Sequence, residues 1–125
     1  MKQTILIVDD FENTCWVIKN AIQGNNYEIL TASNGIEALA YFDGRSIDLL
    51  ITDLNMPELN GIELIGKVKE TPQYGFIPII LLTTERNSDK LKQAEKAKIT
   101  VIVNKPFQLE SFRKIVTKCL TQTIH

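Results

Sequence analysis

Five short apolar runs punctuate the chain: Ile5-Leu6-Ile7-Val8, Tyr27 to Ala32, Leu49-Leu50-Ile51, Ile77 to Leu82 and Val101-Ile102-Val103. They are rich in Val, Ile and Leu and do not strictly alternate with polar residues, the pattern of strands covered on both faces. Strands are predicted over about 4–9, 27–32, 47–53, 77–83 and 100–104. The intervening stretches predict helices over about 11–23, 35–43, 61–70, 86–97 and 107–120. Alternation of this kind gives an α/β domain: a doubly wound five-stranded parallel sheet with right-handed crossovers and helices on both faces. No internal repeat, low-complexity tract or linker interrupts it, so residues 1–125 read as one domain.

The helix starts carry their own signals. Asn34 with Glu37, and Asn60 with Glu63, have the spacing at which a cap side chain takes an orphan amide and the acid reaches back. Asn60-Gly61 ends the loop after the third strand. On the last helix Leu109, Phe112, Val116, Cys119 and Leu120 recur at three- and four-residue spacing and are predicted to face the sheet. On the first helix the stripe is Val17, Ile18, Ala21 and Ile22, with Trp16 among Glu12, Lys19 and Gln23 on the opposite side. The indole is therefore predicted to face solvent, either as a scattered surface residue or as a docking anchor.

Composition adds exclusions. At 44% apolar and 23% charged residues the chain suits an ordinary globular domain. No apolar stretch approaches the ~20 residues that span a bilayer, and the first residues enter a strand pattern instead of a signal peptide, so a cytoplasmic protein is expected. Cys15 and Cys119 fall early and late on helices read as parallel, an axial offset of roughly 12 Å that exceeds the ~7 Å limit for a bridge. They read as packing residues in a reducing compartment. The net charge of −1 conceals an asymmetry: residues 1–85 carry −7 and residues 86–125 carry +6. The basic part is either a solvated face or a surface that steers an acidic partner. Nucleic acid is disfavoured because no aromatic interleaving or recognition-helix pattern accompanies the lysines.

Chemistry gathers where the runs end. Asp9 and Asp10 close the first, Asp53 the third, Thr83 the fourth and Lys105-Pro106 the fifth. In an open parallel sheet the carboxyl ends of the strands share one edge, which is where ligands bind. Carboxylates gathered there can hold a divalent cation and offer a nucleophile.

Val8-Asp9-Asp10, Asp53-Leu54-Asn55-Met56-Pro57 with Asn60-Gly61, Leu82-Thr83-Thr84-Glu85 and Lys105-Pro106-Phe107 together resemble the receiver domains of two-component response regulators, over essentially the whole chain and most closely the single-domain, CheY-like members. The resemblance implies strand order 2-1-3-4-5 and an Mg²⁺ site in which Asp10 and Asp53 ligate directly, Asn55 through its main-chain carbonyl and Asp9 through water. It implies that Asp53 accepts a phosphoryl group and that Lys105 and Thr83 cradle it, with a cis Lys105-Pro106 bond aiming the lysine inward. The donor would be a sensor histidine kinase or phosphotransfer protein. The target would meet the face of the fourth helix, fifth strand and fifth helix, where Lys90, Lys96, Ile102, Lys114 and Lys118 are candidates. Such a protein is a signalling domain with self-phosphorylation and autodephosphorylation chemistry, not a turnover enzyme.

The chain also departs from that pattern. The aromatic that usually swings inward three residues before the lysine is Ile102, Thr84 stands where Ala or Gly is commoner, and Lys98-Ile99 replaces a Gly-Ala pair. Asn55 and Glu85 match the CheY pair and imply an acyl phosphate that hydrolyses fairly quickly. Two enzyme-like readings fit less well. A haloacid-dehalogenase-like phosphatase needs an acid two residues past Asp53, where Asn55 stands, and a flavodoxin-like carrier needs a hydroxyl- and Gly-rich cradle where Asp9-Asp10 stands. A phosphorelay intermediate or a phosphate-independent interaction module stays open because of Ile102.

Overall fold

In the computed structural model, which describes residues 2–86 and 88–122, the apolar runs form β1 (Gln3–Val8), β2 (Tyr27–Ala32), β3 (Leu49–Asp53), β4 (Ile79–Thr83) and β5 (Val101–Asn104). All neighbours pair in parallel, in the order β2-β1-β3-β4-β5. The helices are α1 (Glu12–Ile22), α2 (Gly35–Leu39), α3 (Gly61–Glu70), α4 (Ser88–Lys96) and α5 (Leu109–Gln122). No helix among the described residues is long and apolar enough to cross a membrane.

Successive side chains on a strand point to opposite faces, so runs that are apolar at both parities bury two cores. Leu6, Val8, Leu50 and Leu81 pack with Ala38 of α2, Leu64 and Val68 of α3 and Ala94 of α4. Ile5, Ile7, Ile51 and Leu82 pack with Cys15 and Ile18 of α1 and Phe112 and Val116 of α5. The register sets Val8 beside both Ala32 and Thr52, Asp53 beside Leu82, and Thr83 beside Asn104. The residues that end β1, β3, β4 and β5 therefore leave the sheet at one edge.

β2 and α3 occupy the predicted spans, and the other elements shift at their ends. Asp9 lies just past β1, its amide bonded to the Ala32 carbonyl at 3.1 Å. β3 and β4 each start two residues late: Asp48 is spent holding the Thr4 amide with its carboxylate at 2.8 Å, and Pro78 has no amide to donate. β5 begins one residue late, at Val101; Thr100 before it is held to Ile79 twice, its hydroxyl accepting the Ile79 amide and its amide donating to the Ile79 carbonyl, each at 3.0 Å. α1 is one residue shorter at each end than predicted, and α5 runs two residues later. The largest correction is α2, which stops at Leu39 and not at residue 43. The amides of Tyr41 and Phe42 turn back to the carbonyls of Ala38 and Leu39, three residues behind, so the chain tightens out of the helix toward Gly44, at φ 112°.

Side-chain placement also corrects the pattern. On α1 the buried stripe is Cys15, Ile18 and Ile22, with Val17 and Ala21 only half-buried, and Trp16 faces solvent as predicted. On α5 Phe112, Val116, Cys119 and Leu120 are buried, but Leu109 is exposed because it opens the helix at the sheet's rim. Both cysteines are buried and free. The capping box is complete at Asn60 and Glu63. At α2, Asn34 caps Glu37 at 2.7 Å, but the Glu37 carboxylate reaches Ser33 in place of Asn34.

Lys98, in the turn before β5, adopts φ 60°. This left-handed geometry costs an ordinary residue roughly 1 kcal/mol and glycine almost nothing. Lys98→Gly is therefore expected to raise stability by only about 0.5 kcal/mol in urea denaturation, the relief of strain being partly offset by the added freedom of the unfolded chain.

Candidate functional site

The edge at the carboxyl ends of β1, β3, β4 and β5 carries an acidic pocket bridged by one ammonium. Asp9 is 1% exposed. Its Oδ1 accepts the Phe11 amide at 2.9 Å and its Oδ2 accepts Lys105 Nζ at 3.1 Å. Asp53, the last residue of β3, accepts the Leu54 amide at 2.9 Å on Oδ1, and Lys105 Nζ lies 3.3 Å from the same oxygen. Asp53 Oδ2 has no partner among the described residues. Asp10 is exposed beside them, and one carboxylate oxygen from each of Asp9, Asp10 and Asp53 lies within 4.8 Å of the other two. Hard oxygen donors so arranged fit a small divalent cation such as Mg²⁺.

Lys105 is delivered by the Lys105-Pro106 peptide, which is cis as expected, while its amide donates to the Thr83 carbonyl at 2.9 Å. Thr83 is fully buried at the end of β4, and its Oγ1 accepts the Glu85 amide at 2.7 Å, so the hydroxyl keeps its proton to donate. Asn55 Nδ2 lies 3.5 Å from Glu85 Oε2, and the same oxygen is 3.5 Å from Lys90 Nζ of α4. Thr84 and Pro106 are exposed on the rim. Ile102 is not part of the pocket: it pairs in register with Leu81 inside β5 and packs half-buried on the core beneath α2, α3 and α4. Lys96, Lys114 and Lys118 are exposed on α4 and α5.

The electrostatics follow from this packing. Burial pushes the Asp53 carboxyl up, the Asp9 charge adds to it, and Lys105 and the Leu54 amide oppose them. Burial alone would lower the Lys105 ammonium, but the charges of Asp9 and Asp53 outweigh it and raise it instead. Burial, then Asp9, lifts the Cys15 thiol to about 11, and its Sγ donates to the Asp9 carbonyl at 3.7 Å. That thiol stays protonated and unreactive near neutral pH.

Two structural supports escaped the sequence reading. A Cβ on Gly61 would collide with the Asp53 carbonyl oxygen and lie 3.0 Å from Leu54 Cα, and the Gly61 amide donates to the Leu54 carbonyl at 2.8 Å. The Asn60-Gly61 pair marks a turn, but only the fold shows that its glycine lies against the main chain of residue 53. The Leu54 amide, which orients the Asp53 carboxylate, has no signature in sequence because every residue but proline carries one.

A family model described as response regulator receiver domain matches residues 5–117. Chemotaxis protein CheY1 of Helicobacter pylori is 39% identical over 105 residues, covering 82% of this chain and 85% of that protein. Chemotaxis protein CheY of Pseudomonas aeruginosa is 31% identical over 115 residues, covering 91% and 93%. Among solved structures, the chemotaxis response regulator CheY4 of Vibrio cholerae superposes with a TM-score of 0.88 at 33% identity, covering 96% of this chain and all of that one.

Removing the ammonium by Lys105→Met leaves both carboxylates without their shared counter-charge. The Asp53 carboxyl, already raised, is expected to release its proton at higher pH still, read as a displaced titration curve in carboxyl ¹³C spectra; an unmoved curve would disprove the coupling. Gly61→Ala is expected to cost about 2 kcal/mol of stability in urea denaturation, because the new methyl meets main chain that cannot rotate away.

Proposed function

Since this chain belongs to the response regulator receiver domain family, and so serves phosphoacceptor signalling in two-component systems, we propose that Asp53 is the acceptor and that Lys105 and Thr83 cradle the transferred group. The observation that carries this reading is the single Lys105 ammonium, 3.1 Å from Asp9 Oδ2 and 3.3 Å from Asp53 Oδ1. With Oδ1 tied to Leu54 and Lys105, Oδ2 is the oxygen free to attack. A new O–P bond forms as the P–N bond to the donor's imidazole breaks, and the freed ring takes its proton from solvent. Lys105 then pairs with one phosphoryl oxygen and the Thr83 hydroxyl donates to another, since positioning and neutralisation carry this kind of transfer.

Asp10, Asp53, the Asn55 main-chain carbonyl and, through water, Asp9 are the residues that would hold Mg²⁺. When bound, the ion supplies positive charge that screens the carboxylates from the incoming phosphoryl oxygens. The meeting of Asn55 with Glu85 beside the acceptor supports a role for this pair in admitting hydrolytic water, so that the acyl phosphate is short-lived. The donor is a sensor histidine kinase or phosphotransfer protein, and the basic α4–β5–α5 face, with Lys96, Ile102, Lys114 and Lys118, answers to a downstream target. Each charge-assisted hydrogen bond to the new phosphate contributes roughly 1.5–3 kcal/mol, so two or three supply much of the ~5.5 kcal/mol needed to invert a two-state switch. The free, buried thiols support a cytoplasmic setting.

Incubation with acetyl phosphate and Mg²⁺ is expected to add one phosphoryl mass to the wild type and none to Asp53→Asn, with labelling abolished by a chelator. Metal-independent labelling, or labelling that survives the substitution, would refute the assignment.

A further inference from the structure

Trp16, the chain's only tryptophan, is 64% exposed on α1. It is not a scattered surface residue. With Glu12, Cys15 and Lys19 on α1 it forms one wall of a cleft of about 360 Å³, closed on the other side by the turn from β2 into α2, including Glu37, and ending at Asp9. Phe11, where the chain enters α1, and Ile36, beside Glu37 on α2, are also more than half exposed. A large indole left in water at the mouth of a cleft is the kind of side chain that dominates interface energetics.

Charge selects the occupant. Three carboxylates, Asp9, Glu12 and Glu37, line the cleft against one cation, Lys19. Asp9 is neutralised by Lys105, and Glu37 is hydrogen-bonded to Ser33. Glu12, exposed beside Trp16, has no hydrogen-bond or ion-pair partner among the described residues. Such a surface repels nucleic acid, anionic lipid and acidic helices. A symmetric second copy would set the same carboxylates against each other, which disfavours an isologous dimer through this face.

We propose that the cleft between α1 and the β2–α2 turn docks an amphipathic helix of a partner protein that presents Lys or Arg beside an apolar row. Trp16 anchors the apolar row and Glu12 pairs with the cation. The surface is separate from the basic α4–β5–α5 face and selects the opposite sign of charge.

Two fluorescently labelled synthetic helical peptides test this, identical in their apolar row and flanked by Lys in one and Glu in the other. The Lys peptide is expected to bind saturably by anisotropy, to shift Trp16 emission to the blue, and to weaken several-fold as salt rises from about 0.05 to 0.5 M. Glu12→Gln should weaken it by about threefold to fivefold and Trp16→Ala by about tenfold or more. Lys118→Ala, on the opposite-sign face, should leave it unchanged. Both Trp16 and Glu12 are exposed, and a thermal melt by circular dichroism verifies that each variant is folded. Equal binding of the Glu peptide, affinity indifferent to Trp16→Ala, or no saturable binding would overturn the proposal. So would emission that shifts with protein concentration alone, which would give the cleft to a second copy.

Discussion

One ammonium between two carboxylates governs this molecule's chemistry. Asp9 is almost wholly buried, and a carboxylate out of water is tolerable only when paired and hydrogen-bonded. Lys105 supplies the charge and the Phe11 amide a further hydrogen bond. The pairing demands that the ends of β1, β3 and β5 arrive at the same height, although β4 separates the last two. A one-residue slip in any of these strands would send its side chains to the opposite face and break the bridge. The sheet register is therefore also a specification of the pocket.

Why so much was legible in the sequence follows from the same geometry. Continuous apolar runs announce a sheet buried on both sides, and the polar residues within two positions of each run's end must lie at one edge, which gathers Asp9, Asp53, Thr83 and Lys105 from the sequence alone. What could not be read is where apolar residues serve something other than a helix face. Tyr41 and Phe42 continue the helical spacing of α2, but their amides have already turned back three residues. Leu109 matches the α5 stripe but falls where the helix has not yet reached the sheet. Cys15, left out of the α1 stripe, is buried with Ile18 and Ile22 because α1 turns that side to the sheet, and its thiol donates to the Asp9 carbonyl. Backbone partners, such as the Leu54 amide and the wall met by Gly61, leave no mark in a string of side chains.

The departures from the family pattern, Thr84, Lys98-Ile99 and Ile102, spare the residues proposed to hold Mg²⁺ and to take and cradle the phosphoryl group. Thr83 holds its hydroxyl on the Glu85 amide, and Glu85 in turn touches both Asn55 and Lys90, so the acidic pocket is joined to α4 by polar contacts. Ile102 is an aliphatic residue stiff at χ1, half-buried against the core beneath α2, α3 and α4, at the position where the family pattern has an aromatic. Acids gather at the pocket and outnumber bases over residues 1–85, while bases outnumber acids on α4 and α5, so charge is polarised along the chain.

The contact between Gly61 and the main chain at residue 53 has a consequence for how such a domain can diversify. A nucleophile moored by side-chain packing wanders whenever its neighbours are exchanged; one wedged against a helix's first turn is indifferent to them. The outer rim can then be rewritten, charge by charge, to suit a new correspondent while the carboxylate proposed as acceptor stays where it was.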